Sequence, residues 1–262
     1  MKIPLLLLGA VLAPFFALTT NAFANLSIDN SNSPVVIDFT EFDGSGFSSA
    51  PLAGQLDSDT WSVDGLSEGS LDFGGTATVG DFARGTDSDG VGTGGIYAFD
   101  IGDGDVALGV QPGGTDWAPG SITLKLQNNT GQTLSSLAVS YSIFVYNDQD
   151  RASSFNFSHS LDNVNYTDVN TLNFESPEVA DGSPGWSETQ LSTTITGLSI
   201  ADGENYYLRW SGDDFSGTGG RDQFGLDNIS MTAVPEPEYF GLICGLIVLF
   251  VVRKRVLSLK SD

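Results

Sequence analysis

The stretch ITLKLQNNTGQTLSSLAVSYSIFVY, Ile122 to Tyr146, decides the fold. Ile122, Leu124 and Leu126 alternate with Thr123 and Lys125, so this segment has one apolar face and one wet face. Leu137, Val139, Tyr141, Ile143 and Val145 repeat the pattern over a longer run. Side chains two apart share a face only in a β-strand. The intervening Asn-Asn-Thr-Gly is turn chemistry.

The same pattern extends in both directions. The expected strands before this stretch are Val35–Phe39, Thr60–Val63, Ile96–Ile101 and Ala107–Val110. Ser121–Gln127 and Leu137–Tyr146 form its two halves. After it come Ser154–His159, Tyr166–Val169, Ser187–Thr196, Tyr206–Trp210 and Asp227–Thr232. Clusters of Gly, Asp, Asn and Ser separate these runs, and none of them shows sustained helical periodicity. Many short strands joined by glycine-rich turns predict an all-β chain, a single antiparallel β-sandwich. Nothing between 25 and 233 resembles a linker, so we expect one domain there.

The chain carries a formal net charge of −23. Between 25 and 234 there are five basic residues, Arg84, Lys125, Arg151, Arg209 and Arg221, against thirty Asp and Glu. Such a surface repels phosphate backbones, which argues against nucleic-acid binding. The one cysteine, Cys244, lies outside this region, so a disulfide framework is excluded and stability must come from the core.

Both termini read as export signals. MKIPLLLLGAVLAPFFALTTNAFA has a short basic start, an apolar run and the small-x-small site Ala22-Phe23-Ala24. We expect cleavage after Ala24 by signal peptidase. At the other end Val234-Pro235-Glu236-Pro237 precedes an apolar run, Tyr239 to Val252, and then Arg253-Lys254-Arg255. The prolines keep the motif extended. A helix over the 14 residues of the run reaches about 21 Å, against a hydrocarbon core of about 30 Å. It therefore spans only with its flanks or with local thinning of the bilayer. The basic cluster would lie on the cytoplasmic side, as a type I orientation requires. A plain single-pass anchor is the alternative.

This tail resembles the PEP-CTERM sorting domain of Gram-negative secreted proteins. That resemblance implies three segments: a signal peptide at 1–24, an exported domain at 25–233 and a sorting tail at 234–262. The tail comprises the motif at 234–237, a single membrane helix at 239–252 and a basic end at 253–262. It implies exosortase as a processing partner, transit through the inner membrane, and a destination in the cell envelope or extracellular matrix.

Val91 to Gly114, Ile122 to Tyr146, Phe155 to Val169 and Tyr207 to Met231 together resemble an exported bacterial module with a jelly-roll, lectin-like sandwich. No catalytic residue comes with that resemblance. It does imply that a structural Ca²⁺ joins the first strand to the last, with Asp38, Glu41 and Asp43 facing Asp227.

Enzyme chemistry finds little support in the residues. His159 is the only histidine, and alternation places it on one face with Phe155 and Phe157. With one histidine and one cysteine in the chain, no His/Cys set for zinc is present. Gly90 to Gly95 matches a dinucleotide fingerprint only formally, because a strand rather than a helix is expected after it. Asp87-Ser88-Asp89-Gly90 has the spacing of a short calcium loop but completes no EF-hand. Trp117 and Trp186 lie in turn-rich stretches and are the candidate exposed platforms for a glycan, although core packing is the default for any tryptophan. Arg209 and Arg221 are expected to pair with Asp213 and Asp214. We therefore expect a non-catalytic surface or matrix protein associated with extracellular polysaccharide. The alternatives are a carbohydrate-binding module of the matrix and, behind it, a secreted hydrolase.

Overall fold

The computed structural model describes residues 26–31 and 33–234. The expected cleavage site at Ala22 and Ala24 lies outside the described residues, as do Pro235, Glu236, Pro237, the run 239–252 and Arg253-Lys254-Arg255. No helix among the described residues is long and apolar enough to cross a membrane.

The described chain is all-β. Its main strands are β1 (Val35–Ile37), β2 (Trp61–Leu66), β3 (Gly95–Gly102), β4 (Asp105–Gln111) and β5 (Gly120–Asn128). They continue with β6 (Leu134–Tyr146), β7 (Arg151–Ser160), β8 (Trp186–Ile200), β9 (Asn205–Gly212) and β10 (Gln223–Ala233). A nine-stranded sheet follows the order Thr167–Asp168, β7, β9, β5, β2, Gly69–Leu71. A seven-stranded sheet follows the order β8, β6, β10, β4, β3, Thr86–Asp87, with β1 paired to β10. The long strands pair antiparallel. From β4 to β10 each successive main strand lies in the other sheet.

The two sheets share one core. On β9, Tyr206, Leu208 and Trp210 are buried while Tyr207, Arg209 and Ser211 are not. The Trp210 ring lies edge-on to Tyr141 of the opposite sheet and to Phe157 of its own, each at 5.5 Å. Phe155 and Phe224 stack across the sheets at 5.5 Å. The Tyr141 hydroxyl donates to the Leu172 carbonyl, which ties the crossover between β7 and β8 to the core.

The expected strands are found, with altered limits. The run Tyr166–Val169 shortens to Thr167–Asp168, and the last strand starts at Gln223 rather than Asp227. Pairs as short as Gly69–Leu71 hold too few residues to show alternation. The last strand runs on to Ala233, and the Val234 amide donates to the Ser136 carbonyl. The sheet thus reaches the residue before Pro235.

Trp210→Ala removes the ring that three others pack against and should cost about 3–5 kcal/mol. A denaturant melt should show a lower midpoint with an unchanged slope.

Candidate functional site

Strand parity builds a polar face on the outside of the nine-stranded sheet. Register aligns Asn156, Ser211, Ser121 and Asp64 across β7, β9, β5 and β2. The next rung is Ser158, Arg209, Thr123 and Ser62, and beyond it Tyr207 stands opposite Lys125. Two walls turn this face into a groove of about 270 Å³. One wall carries Ser70, in the short strand Gly69–Leu71, and Asp72 and Phe73, which follow it; the other carries Asn163 and Tyr166. That volume lies just below the usual small-molecule range of about 300–1,000 Å³.

The second wall is held by an Asx turn. The Asp162 carboxylate accepts from the Val164 amide at 2.9 Å, the Asn165 amide at 2.7 Å and the Asn165 side chain at 2.7 Å. These donors hold its carboxyl well below the usual carboxylate range. The Tyr166 hydroxyl donates to Asn163 Oδ1 at 2.5 Å, and burial pushes that phenol up. Arg209 lies over the Tyr166 ring, its guanidinium carbon 3.4 Å from the centroid. The Lys125 ammonium lies 4.9 Å over Phe73, whose ring meets Tyr207 at 5.8 Å. Aromatic surface, hydroxyls, carboxylates and cations therefore share one concave face. This face is fit to hold a polar ring compound. Within it the Ser70 hydroxyl donates to Asp64 Oδ1, and His159 is not part of it. His159 points inward, its ring tilted at 39° to Tyr206 with centroids 5.6 Å apart, and burial lowers its pKa.

Two sequence expectations need correction. Trp117 is only 1% exposed and offers no platform. A φ of 58° folds it inward, onto Phe155 at 6.0 Å. The space is made by glycine, since a Cβ at Gly212 would sit 2.2 Å from Trp117 Nε1. Arg209 also does not pair with Asp213 or Asp214. Parity turns it into the groove, and Asp214 is held instead by Arg221, at 2.5 and 2.7 Å, and by Arg151, at 3.2 Å.

Trp186 is half-buried on the outer face of the other sheet, packed on Phe99 and Tyr146, and its indole donates to the Ser88 carbonyl at 2.8 Å. Asp87 Oδ1 accepts from the Ser88 amide at 2.8 Å and from the Asp89 amide at 3.4 Å, so it closes its own turn. Asp89 is exposed.

The expected calcium set is brought together only in part. Asp227 is fully buried beside the bulge that separates Ser140 from Ser142 in the β6–β10 ladder. Its Oδ2 accepts from the Asn228 side chain at 2.8 Å, whereas Oδ1 has no partner. Burial, followed by the charges of Asp105, Asp38 and Glu188, pushes its carboxyl up to about 7. Glu41 and Asp43 are exposed, and Asp43 Oδ1 accepts from the Ser45 amide at 2.9 Å within its own loop. Among the described residues no group of three or more His, Cys, Asp or Glu is placed to enclose a metal ion. Asp105 and Glu188 lie far from Asp227 in sequence, so spacing gave no sign that they would join it.

No family model matches this sequence, and no curated protein matches it. Among solved structures the chain is similar to the xylan-binding module CBM15, at 10% identity and a TM-score of 0.38, over 79% of this chain and 99% of that one. It is similar to a CBM4 structure at 11% identity and a TM-score of 0.33, over 68% and 96%. A third is the K3 adhesin domain of Lys-gingipain from Porphyromonas gingivalis, at 11% identity and a TM-score of 0.34, over 52% and 80%.

The raised carboxyls predict an inverted pH response in metal-free protein. Asp227 and Asp222 are pushed up to about 7 and about 6, chiefly by burial. Between the ordinary value near 4 and these values, the folded state binds more protons than the unfolded chain. Their contribution is therefore complete below about pH 4 and is lost as pH rises through 6 and 7. In chelator the melting temperature should fall from pH 5 to pH 8, and Asp227→Asn should flatten that slope.

Proposed function

We propose that the chain is an exported, non-catalytic glycan-binding protein of the cell envelope or matrix, with a jelly-roll sandwich that presents the groove of the nine-stranded sheet. The observation that carries this reading is that groove. Tyr166 and Phe73 stand on opposite walls of a floor of paired hydroxyls and carboxylates. A sugar ring offers apolar C–H faces and a rim of hydroxyls. Aromatic side chains suit the first, and Asp64, Asp72, Asn163, Ser62 and Thr123 suit the second. Glycan-array binding by the wild type should weaken about tenfold, or about 1.4 kcal/mol, in Tyr166→Ala and in Phe73→Ala. Trp117→Ala should lower stability instead. Wild-type levels of binding in both groove variants would reject the groove as the site.

Export follows from the two terminal signals, with signal peptidase and exosortase as the processing enzymes and the inner membrane as the transit compartment. The sheet that ends at Ala233 supports a stalk of minimal length before Pro235-Glu236-Pro237. Intact mass of the mature protein from its host should show loss of 1–24 and an exosortase-dependent break near 235–237. An intact tail with and without the enzyme would make this a type I membrane protein.

The partnerless buried Oδ1 of Asp227 favours a second, structural element, a hard cation such as Ca²⁺ at the junction of β1, β4 and β10. Asp227 would hold it, with Asp38 and Asp105 nearest in sheet order. Calcium should raise the melting temperature at pH 8 relative to chelator, and Asp227→Asn should abolish the rise. An unchanged melt in the wild type would remove the ion from this account.

A further inference from the structure

The cations of the domain are distributed unevenly. Of its five basic residues, Arg84 pairs with Asp81, while Arg151 and Arg221 pair with Asp214. Among the described residues Lys125 and Arg209 have no ion pair, although acids outnumber bases sixfold between 25 and 234. Arg209 lines the floor of the groove, and Lys125 lies at its end on the adjoining rung of the same face, its ammonium over Phe73 of the groove wall; each cation lies over an aromatic ring. Arg209 Nε is buried and has no hydrogen-bond partner. A buried donor left unmade is costly, and such groups normally find a partner. In a chain so acidic, a cation left without a carboxylate is kept for something else.

Resting on the groove reading above, we propose that its ligand is an acidic polysaccharide, whose carboxylate or sulfate groups meet Arg209 and Lys125. Arginine offers a planar fork that matches a carboxylate or sulfate. Tyr166 holds that fork flat, so less freedom is lost when an anion binds. Asp64 and Asp72 lie on the other side of the groove, where their carboxylates accept from glycan hydroxyls and repel acid groups, which fixes the orientation: acid group toward β9, hydroxyl rim toward β2. A neutral glycan could meet the guanidinium only through hydroxyl or ring oxygens and would leave its charge unpaired. The long-range field of the acidic surface repels a polyanion, so capture depends on these short contacts and should persist at physiological salt, where charges beyond about 8 Å are screened.

The test is calorimetric titration of the full chain in detergent with polygalacturonate, with a neutral galactan and with dextran sulfate. The expected result is binding of one or both polyanions at least tenfold tighter than galactan. Polygalacturonate as the tighter ligand would identify a uronate, and dextran sulfate as the tighter one a sulfate. Arg209→Gln and Lys125→Gln should each lose most of that preference with unchanged melting temperature, and Arg209→Lys should recover part of it. Equal binding of galactan would overturn the acidic specificity and leave the groove reading intact. Binding of the polyanions that neither variant weakens would also overturn it. No binding of any of the three would count against both.

Discussion

Everything useful in this molecule follows from the burial of Trp210 between the sheets. With that indole against Tyr141 and Phe157, the parity of β9 is fixed. A strand that buries Tyr206, Leu208 and Trp210 must turn Tyr207, Arg209 and Ser211 outward. A one-residue slip would drive a guanidinium into the core and expose a tryptophan, so the register is enforced by a large penalty. Neighbouring strands inherit it through the ladder, and the polar rungs of the groove follow.

The electrostatics divide along the same line. The surface is acidic nearly everywhere, and most cations are consumed by structural pairs. Two buried carboxyls, Asp222 and Asp227, sit where ionisation is penalised, and each has an oxygen with no partner. The groove does the reverse, with unpaired cations held over aromatic rings. A sandwich that needs no disulfide can tolerate such local costs because its core is large, including Trp61, Trp117, Tyr141, Phe155 and Phe224.

The architecture was legible in the sequence because alternation is a local signal. Leu137 to Val145 and Ile122 to Leu126 face the core as their spacing predicts. The site was less legible, for definite reasons. Lys125 was visible as part of a wet face, but what it faces depends on sheet order. Phe73 and Tyr166 are distant in sequence and meet the groove only through the β2 and β7 edges. Trp117 was misplaced because turn-rich surroundings suggest exposure, whereas its positive φ and the glycine opposite bury it. Arg209 reads as a partner of the nearest acids along the chain, whereas parity turns it into the groove and Asp214 is held by Arg221 and Arg151. The two ends of the chain stay where the sequence reading left them, since they lie outside the described residues.

The most direct test of the central claim is an NMR titration of the chain with a bound oligosaccharide, read as amide shift changes by residue. The account predicts that changes cluster on the rungs around Ser62, Thr123 and Arg209 and on the walls at Phe73 and Tyr166. Changes confined to the outer face of the seven-stranded sheet, around Trp186 and Tyr146, would contradict it.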